Sequence, residues 1–291
     1  MSYYVKKALR DPQFMLFFCL AVILILIPIL APWLAPNDPI ENDYANLMIA
    51  HSDKYPLGTD QIGRCFLSRL IYGGRTSMLI VFIVIAISAS IGILLGVLAG
   101  YLGGKTDTFI TRFTDIVIAV PQTVFVIALV SVMGPSLRNT ILAMSLVSWT
   151  EYCRVTRALV LSLKQNTYVE EGRMAGMREM RLVSRLILPN VFPHLLVLIT
   201  QDIGAKLLTL SGLSLLGLAS QPPTPEWGYM LSEGRQFMQS APRLIFLPGI
   251  TIVLNVIIFN LLGDSLRDIL DPRFIKKKTH RRQLKQWLEN T

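Results

Sequence analysis

Few residues in this chain stand in patterns that could do chemistry. Gly104-Lys105-Thr106, in "GVLAGYLGGKTDTF", has the ending of a phosphate-binding loop. That loop needs a glycine five residues before the Gly-Lys pair, where Ala99 stands here, and it must follow a strand. A long apolar run precedes it instead, so the glycines read as a turn. The histidines are His51, His194 and His280, and the cysteines are Cys19, Cys65 and Cys153. No two of them share metal-ligand or redox spacing, so no tight metal site, bound cofactor or enzyme active site is expected of this chain. Two patterns remain. Asp202 and Lys206 stand four apart inside an apolar run, so on a helix they share one face. "NTYVEEGRMAGMREMRLVSRLILPN", residues 166–190, is crowded with Glu and Arg between two apolar runs.

The elements that position these residues are membrane helices. Of 291 residues, 52% are hydrophobic and 16% charged, with a mean hydropathy of +0.51. A soluble domain carries about 25% charged residues, and a bilayer needs about 20 apolar residues per helix. Apolar blocks at 14–34, 77–102, 113–133, 141–163, 186–218 and 244–262 predict an all-α polytopic fold with about six spans. The fourth is interrupted by Glu151, Arg154 and Arg157, and the fifth is long enough to be tilted or broken. The first reads as a retained anchor, because "APWLAPNDP" lacks a small-x-small cleavage pattern.

Lys6, Lys7, Arg10, Lys105, Arg112, Lys164, Arg173, Arg178, Arg181 and Arg185 all fall on one side of a six-span model, as does the basic run from Arg267 to Lys285. By the positive-inside rule that side is the cytoplasm, with both termini on it. The net charge of +9 is then a topological signal. Its spread over several links, without interleaved aromatics, argues against nucleic-acid binding. Three divisions follow: an N-terminal end, first span and extracytoplasmic segment (1–76), a core (77–266), and a basic tail (267–291).

The charged stretch is therefore a cytoplasmic link, far longer than the roughly 2–8 residues usual between helices. Residues 168–175 are helix-compatible, Gly176 would stop that helix, and "MREMRLVSRLI" would start another. The expected product is a short polar helix at about 166–182, lying across the membrane face.

These residues carry a resemblance. Glu170, then Gly176 six residues on, then Ile187-Leu188-Pro189, is similar to the signature loop of ABC importer permeases. Glu171 and Gly172 stand where that family has two alanines. "YPLGTDQIGRCFLSRLIYGGRTSM", with Cys65 in place of the usual Asp, resembles the dipeptide, oligopeptide and nickel branch. So do "LSLLGLASQPPTPEWGYML" and "FNLLGDSLRDILDPR". The chain shows no inverted repeat or filter motif of a secondary transporter or channel.

The resemblance implies the type I permease fold in the cytoplasmic (inner) membrane of a bacterium, and half of a heterodimeric pore. It also implies a second homologous permease, two ATPase subunits that bind ATP and Mg, an extracytoplasmic solute-binding protein and surrounding lipid. Tyr168, Glu170, Glu171, Arg173, Gly176, Leu188 and Pro189 would couple to an ATPase. Asp202 and Lys206 would line the pathway, with Asp202 a weak station for a metal and the structural ion pair as the alternative. Residues 37–75 and 221–243, with Pro223, Glu226 and Trp227, would receive the binding protein. "LITQDIGAKLLTLSGLSLLGL", "PEWG" and "EGRQFM" look closest to nickel and metallophore permeases. The expected cargo is nickel or a metal chelate, with di- or oligopeptide as the alternative.

Overall fold

In the computed structural model, which describes residues 7–270, the apolar blocks become helices, with their ends moved by capping and proline chemistry. Helix α1 (Pro12–Ile29) starts where the Asp11 carboxylate accepts from the Gln13 and Phe14 amides at 3.1 and 3.3 Å. A short turn, α2 (Ala31–Leu34), follows, and an irregular segment then leads to α3 (Phe66–Leu102). At about 1.5 Å per residue α3 is roughly 55 Å long, longer than the hydrocarbon core. It begins 11 residues before the apolar block at 77, so the expected division at residue 76 falls inside it.

The third block is not one straight helix. It is α4 (Gly104–Ile118) and α5 (Gln122–Met133), bent by 80°. Pro121 lies at the bend with φ −53° and ψ 126°. Its ring lacks an N–H, and it disfavours the α conformation in the residue before it.

The fourth block is α6 (Leu137–Lys164), one helix despite its three charges. After the polar link come α7 (Thr167–Met174) and α8 (Glu179–Leu182). A π turn (Val183–Ile187) then leads into α9 (Leu188–Leu215). Four stretches among the described residues are long and apolar enough to cross a membrane: α1, α3, α8 through α9, and α11 (Arg243–Leu270). The bent α4–α5 pair makes a fifth when taken as one broken span, and α6, which carries the fourth expected block and its three charges, is not among them. Arg267 belongs to α11 and not to a separate tail, and the rest of the expected tail lies outside the described residues.

The core is built on α3 and α6. Gly92, Gly96 and Gly100 form a stripe with a period of four along α3. An added Cβ at Gly96 would come within 2.6 Å of the Cys153 carbonyl oxygen, and one at Gly100 within 2.9 Å of that of Arg157. The missing side chains let the two backbones close together, which is how helices gain packing energy where no hydrophobic drive operates between them. Helices α9 and α11 pack beside this pair, and α1 lies across α11 and α3. The outward sides of α1 and α11 present Leu16, Phe18, Ile23, Phe246, Ile250 and Val253, suited to lipid. Lys7 donates to the Ile269 carbonyl at 2.7 Å, so the two ends of the described chain lie together.

One end of the bundle is capped by the segment before α3 and by α10 (Trp227–Gly234). Asp60, Arg64 and Arg69 are buried there and meet Glu233 of α10. Burial works against the charge on Arg64, but Asp60 and Glu233 more than offset it and hold its pKa above the ordinary value. Arg243 donates to the carbonyls of Met48, Ile49 and Thr59, tying the same segment to α11. At the rim, hydrogen bonds from Asn46 and Tyr55 hold the Asp43 carboxyl down at about 2.

Candidate functional site

The polar link folds as one unit between α6 and α9. Lys164 ends α6 by donating to the Tyr101 carbonyl at 2.6 Å, which pins it to the end of α3. On α7, Val169 is buried with Val160, Ile187, Val191 and Leu195. That single apolar anchor orients the helix, and Tyr168, Glu170, Glu171, Arg173 and Met174 are exposed. Gly176 closes α7 with φ +77°. Its amide donates to the Arg173 carbonyl at 3.0 Å, and the Met177 amide donates to that of Gly172 at 3.1 Å. This is a Schellman end, whose left-handed residue favours glycine. A Cβ on Gly176 would meet nothing within 4 Å, so the requirement is one of backbone conformation alone.

Gly172 has a different task. A Cβ there would come within 2.9 Å of Leu182 and of Leu186, so its smallness lets α8 and the π turn fold back onto α7. The π turn is recorded in the bond from the Leu188 amide to the Val183 carbonyl, five residues back. Pro189 follows directly and has no N–H to continue an α pattern. Leu188 is half-buried and Pro189 exposed. The helix nevertheless runs on from Glu179 to Leu215, so α7 is fastened to a membrane-length lever. The Arg173–Glu179 pair across the link is 3.7 Å long and exposed on both sides, and adds little.

Asp202 and Lys206 form an ion pair at 2.9 Å with both side chains buried. The Tyr152 hydroxyl of α6 donates to the second Asp202 oxygen at 2.7 Å. Both carboxylate oxygens are thus engaged inside the chain. Of the two readings given for these residues, the ion pair is present, and as placed neither Asp202 oxygen is without a partner. The pair joins α9 to α6. Asp202→Asn should leave the Lys206 ammonium buried without its anion, at a cost of about 3 kcal/mol or more. Thermal unfolding in detergent should show that loss, and adding Lys206→Met should recover most of it. A single variant as stable as the wild type would remove the pair from the fold's support.

Glu226 and Trp227 differ from expectation. Both are buried, at 0% and 3% exposure, so neither side chain is available to a docking protein. Glu226 caps α10. It accepts from the Gly228 and Tyr229 amides at 2.9 and 2.8 Å and from the Ser77 hydroxyl of α3 at 2.9 Å. The Trp227 indole donates to the Leu70 carbonyl at 2.8 Å. Burial pushes the Glu226 pKa up, against the pull of those donors. Pro223 alone of the three is exposed. In the link, the capping pattern of Glu before Trp-Gly-Tyr was a signal available in the sequence. The buried Asp60–Arg64–Arg69–Glu233 network was not, because its members come from segments more than 160 residues apart.

A polar helix joined to two long helices of an apolar bundle defines the class: a polytopic helical membrane protein. The chain belongs to the family of binding-protein-dependent transport system inner membrane components, whose model matches residues 92–276. It is 44% identical over 258 residues to the dipeptide transport system permease protein DppC of Haemophilus influenzae, covering 87% of this chain and 88% of that one. The di/tripeptide transport system permease protein DppC of Pseudomonas aeruginosa is 40% identical over 274 residues, 92% of this chain and 88% of its own. The glutathione transport system permease protein GsiD of Escherichia coli is 41% identical over 254 residues, 87% and 84% of the two chains. The fold matches an inward-facing structure of the MetNI methionine ABC transporter with a TM-score of 0.58 at 16% identity, over 70% of this chain and 97% of that one. The chain is thus a permease subunit of an ABC importer. These relatives correct the leaning towards nickel or a metal chelate: the proteins this chain resembles at 40–44% identity are dipeptide, di/tripeptide and glutathione permeases.

Proposed function

We propose that this chain forms half of a heterodimeric pore that imports di- or oligopeptides across a bacterial inner membrane. The observation that carries this is its 40–44% identity, over about nine-tenths of the chain, to dipeptide and di/tripeptide permeases. A second, homologous permease supplies the other half. Two ATPase subunits bind ATP and Mg and drive the cycle, and an extracytoplasmic binding protein delivers the peptide.

In this reading α7 is the coupling helix. Glu170 and Glu171 face basic groups of an ATPase, and Tyr168, Arg173 and Met174 widen the contact. Gly176 and the continuous helix from Glu179 carry the motion into α9, a lever-like domain movement of the kind that switches access from one side to the other. Both termini are cytoplasmic. The binding protein lands at the opposite end, on exposed residues of the segment before α3 and on Pro223.

The test is uptake of radiolabelled dialanine in cells whose only peptide importer contains this chain. Uptake is expected to need this subunit and a functional ATPase, and to fall with excess unlabelled dipeptide. Dialanine uptake that persists after deletion of the subunit, or is never acquired with it, would overturn the peptide reading. Competition by glutathione places the cargo within the peptide class.

A further inference from the structure

The middle of the bundle holds several charged side chains, most of them engaged by a partner. Lys206 pairs with Asp202 at 2.9 Å. Arg154 of α6 pairs with Asp115 of α4 at 3.1 Å, and Arg157 pairs with Asp107. Glu151 is left over. It forms no hydrogen bond or ion pair among the described residues, although it is near enough to Asp202 and Lys206 to feel both charges.

Its place makes that notable. Glu151 is the fifteenth of the 28 residues of α6, about 20 Å from either end of the helix. Its side chain is exposed. A carboxylate at that depth is costly against lipid, and ionisable groups there face a watery cavity or another chain. The rest of α6 indicates which side is which. Successive residues turn about 100°, so Ala158 and Ser162 lie on the Glu151 side and are exposed with it, whereas Leu142 and Leu146 are exposed on the opposite side. The large apolar side chains exposed on α6, Leu142 and Leu146, thus lie away from Glu151, whose side carries the small Ala158 and Ser162 towards the end that joins α7.

We propose that Glu151 is a binding residue on the translocation pathway that receives the α-ammonium of the peptide, the one cation every free dipeptide carries. The inference rests on the peptide reading above and adds a residue to it. Three ion pairs already satisfy the neighbouring cations, and no cation among the described residues pairs with Glu151, which leaves its charge open to a ligand. One hydrogen-bonded charge pair in a partly hydrated path is weak enough to release its ligand. The surrounding fold is independent of it, because Glu151 holds no structural partner here.

The experiment uses the complete importer with its own partner subunits, carrying Glu151→Gln or Glu151→Asp. Radiolabelled dialanine uptake, assembly with the second permease, and binding-protein-stimulated ATP hydrolysis are measured together. Glu151→Gln is expected to lower uptake about tenfold, with assembly and stimulated hydrolysis within about twofold of wild type. Glu151→Asp should retain much of the uptake. Uptake unchanged in Glu151→Gln would overturn the assignment. So would loss of assembly in step with uptake, which would make Glu151 a pairing residue for the second permease. If the wild-type importer takes up no dialanine, the peptide reading itself fails and the Glu151 assignment falls with it. Wild-type uptake with indifferent variants fails Glu151 alone.

Discussion

Replacing Glu226 with lysine is expected to prevent the cap formed by α10 and the segment before α3 from folding. The carboxylate is fully buried and receives two backbone amides and the Ser77 hydroxyl, with no cation beside it. A lysine would point an ammonium at three donors in a space without water. The cost of such an unpaired buried charge, together with the lost cap, is on the order of 5 kcal/mol. That is comparable with the whole stability of many proteins. The monodisperse peak of the detergent-solubilised protein should disappear or unfold at much lower temperature. Glu226→Gln should fold, because its amide oxygen can still accept, and should lose only part of the stability. A Glu226→Lys protein with wild-type melting would refute the cap.

The same residue gives a pH dependence with a definite sign. Burial raises the Glu226 pKa from 4.5, so the folded state holds its proton more tightly than the unfolded chain. Linkage then makes this contribution largest below 4.5 and lost as pH rises from there through the folded-state pKa. Stability relative to Glu226→Gln should fall over that interval. Poorer docking of a binding protein after charge reversal here would accordingly report damage to α10 and not a lost surface contact.

Gly176→Val is expected to leave a folded, membrane-inserted protein that transports at least about tenfold less. The backbone there has φ +77°, yet a Cβ would strike nothing within 4 Å. The penalty is the left-handed conformation itself, about 1–2 kcal/mol for an L-residue, and it is greater for a branched one. The Schellman end would relax, and α7 would swing on its single anchor, Val169. Under the coupling reading, stimulated ATP hydrolysis and uptake should part company while expression holds. Gly176→Asn, which tolerates the left-handed region, should retain most uptake. Normal uptake in the valine variant would refute the coupling role of this turn.

Much of this arrangement was readable from residue order. The apolar blocks, Pro121 as a break, Gly176 as the end of one helix and Glu179 near the start of the next are local features. Each depends on a residue's own backbone limits or on neighbours within a turn or two. The break at Pro121 bends the third block by 80°, and the stop at Gly176 takes the expected positive φ. The glycines at 92, 96 and 100 were visible too, but their purpose needed the partner helix that fills the space.

Composition and periodicity by themselves determined that the chain is a helical membrane protein with one long polar link between two of its apolar blocks. A bilayer imposes length and apolarity on every span, and those are properties of single segments. Which charges are available to a ligand was decided by tertiary structure alone. For Asp202 the sequence left a pathway role and an ion pair with Lys206 open, and packing adds Tyr152 to that pair, while Glu226, expected on a docking surface, is turned onto the start of α10. Glu151 looked like a flaw in an apolar block and is, among the described residues, a mid-helix carboxylate without a hydrogen bond or ion pair. Some of these partners lie on different helices, 39 to 50 residues apart, and only their assembly in space brings them together.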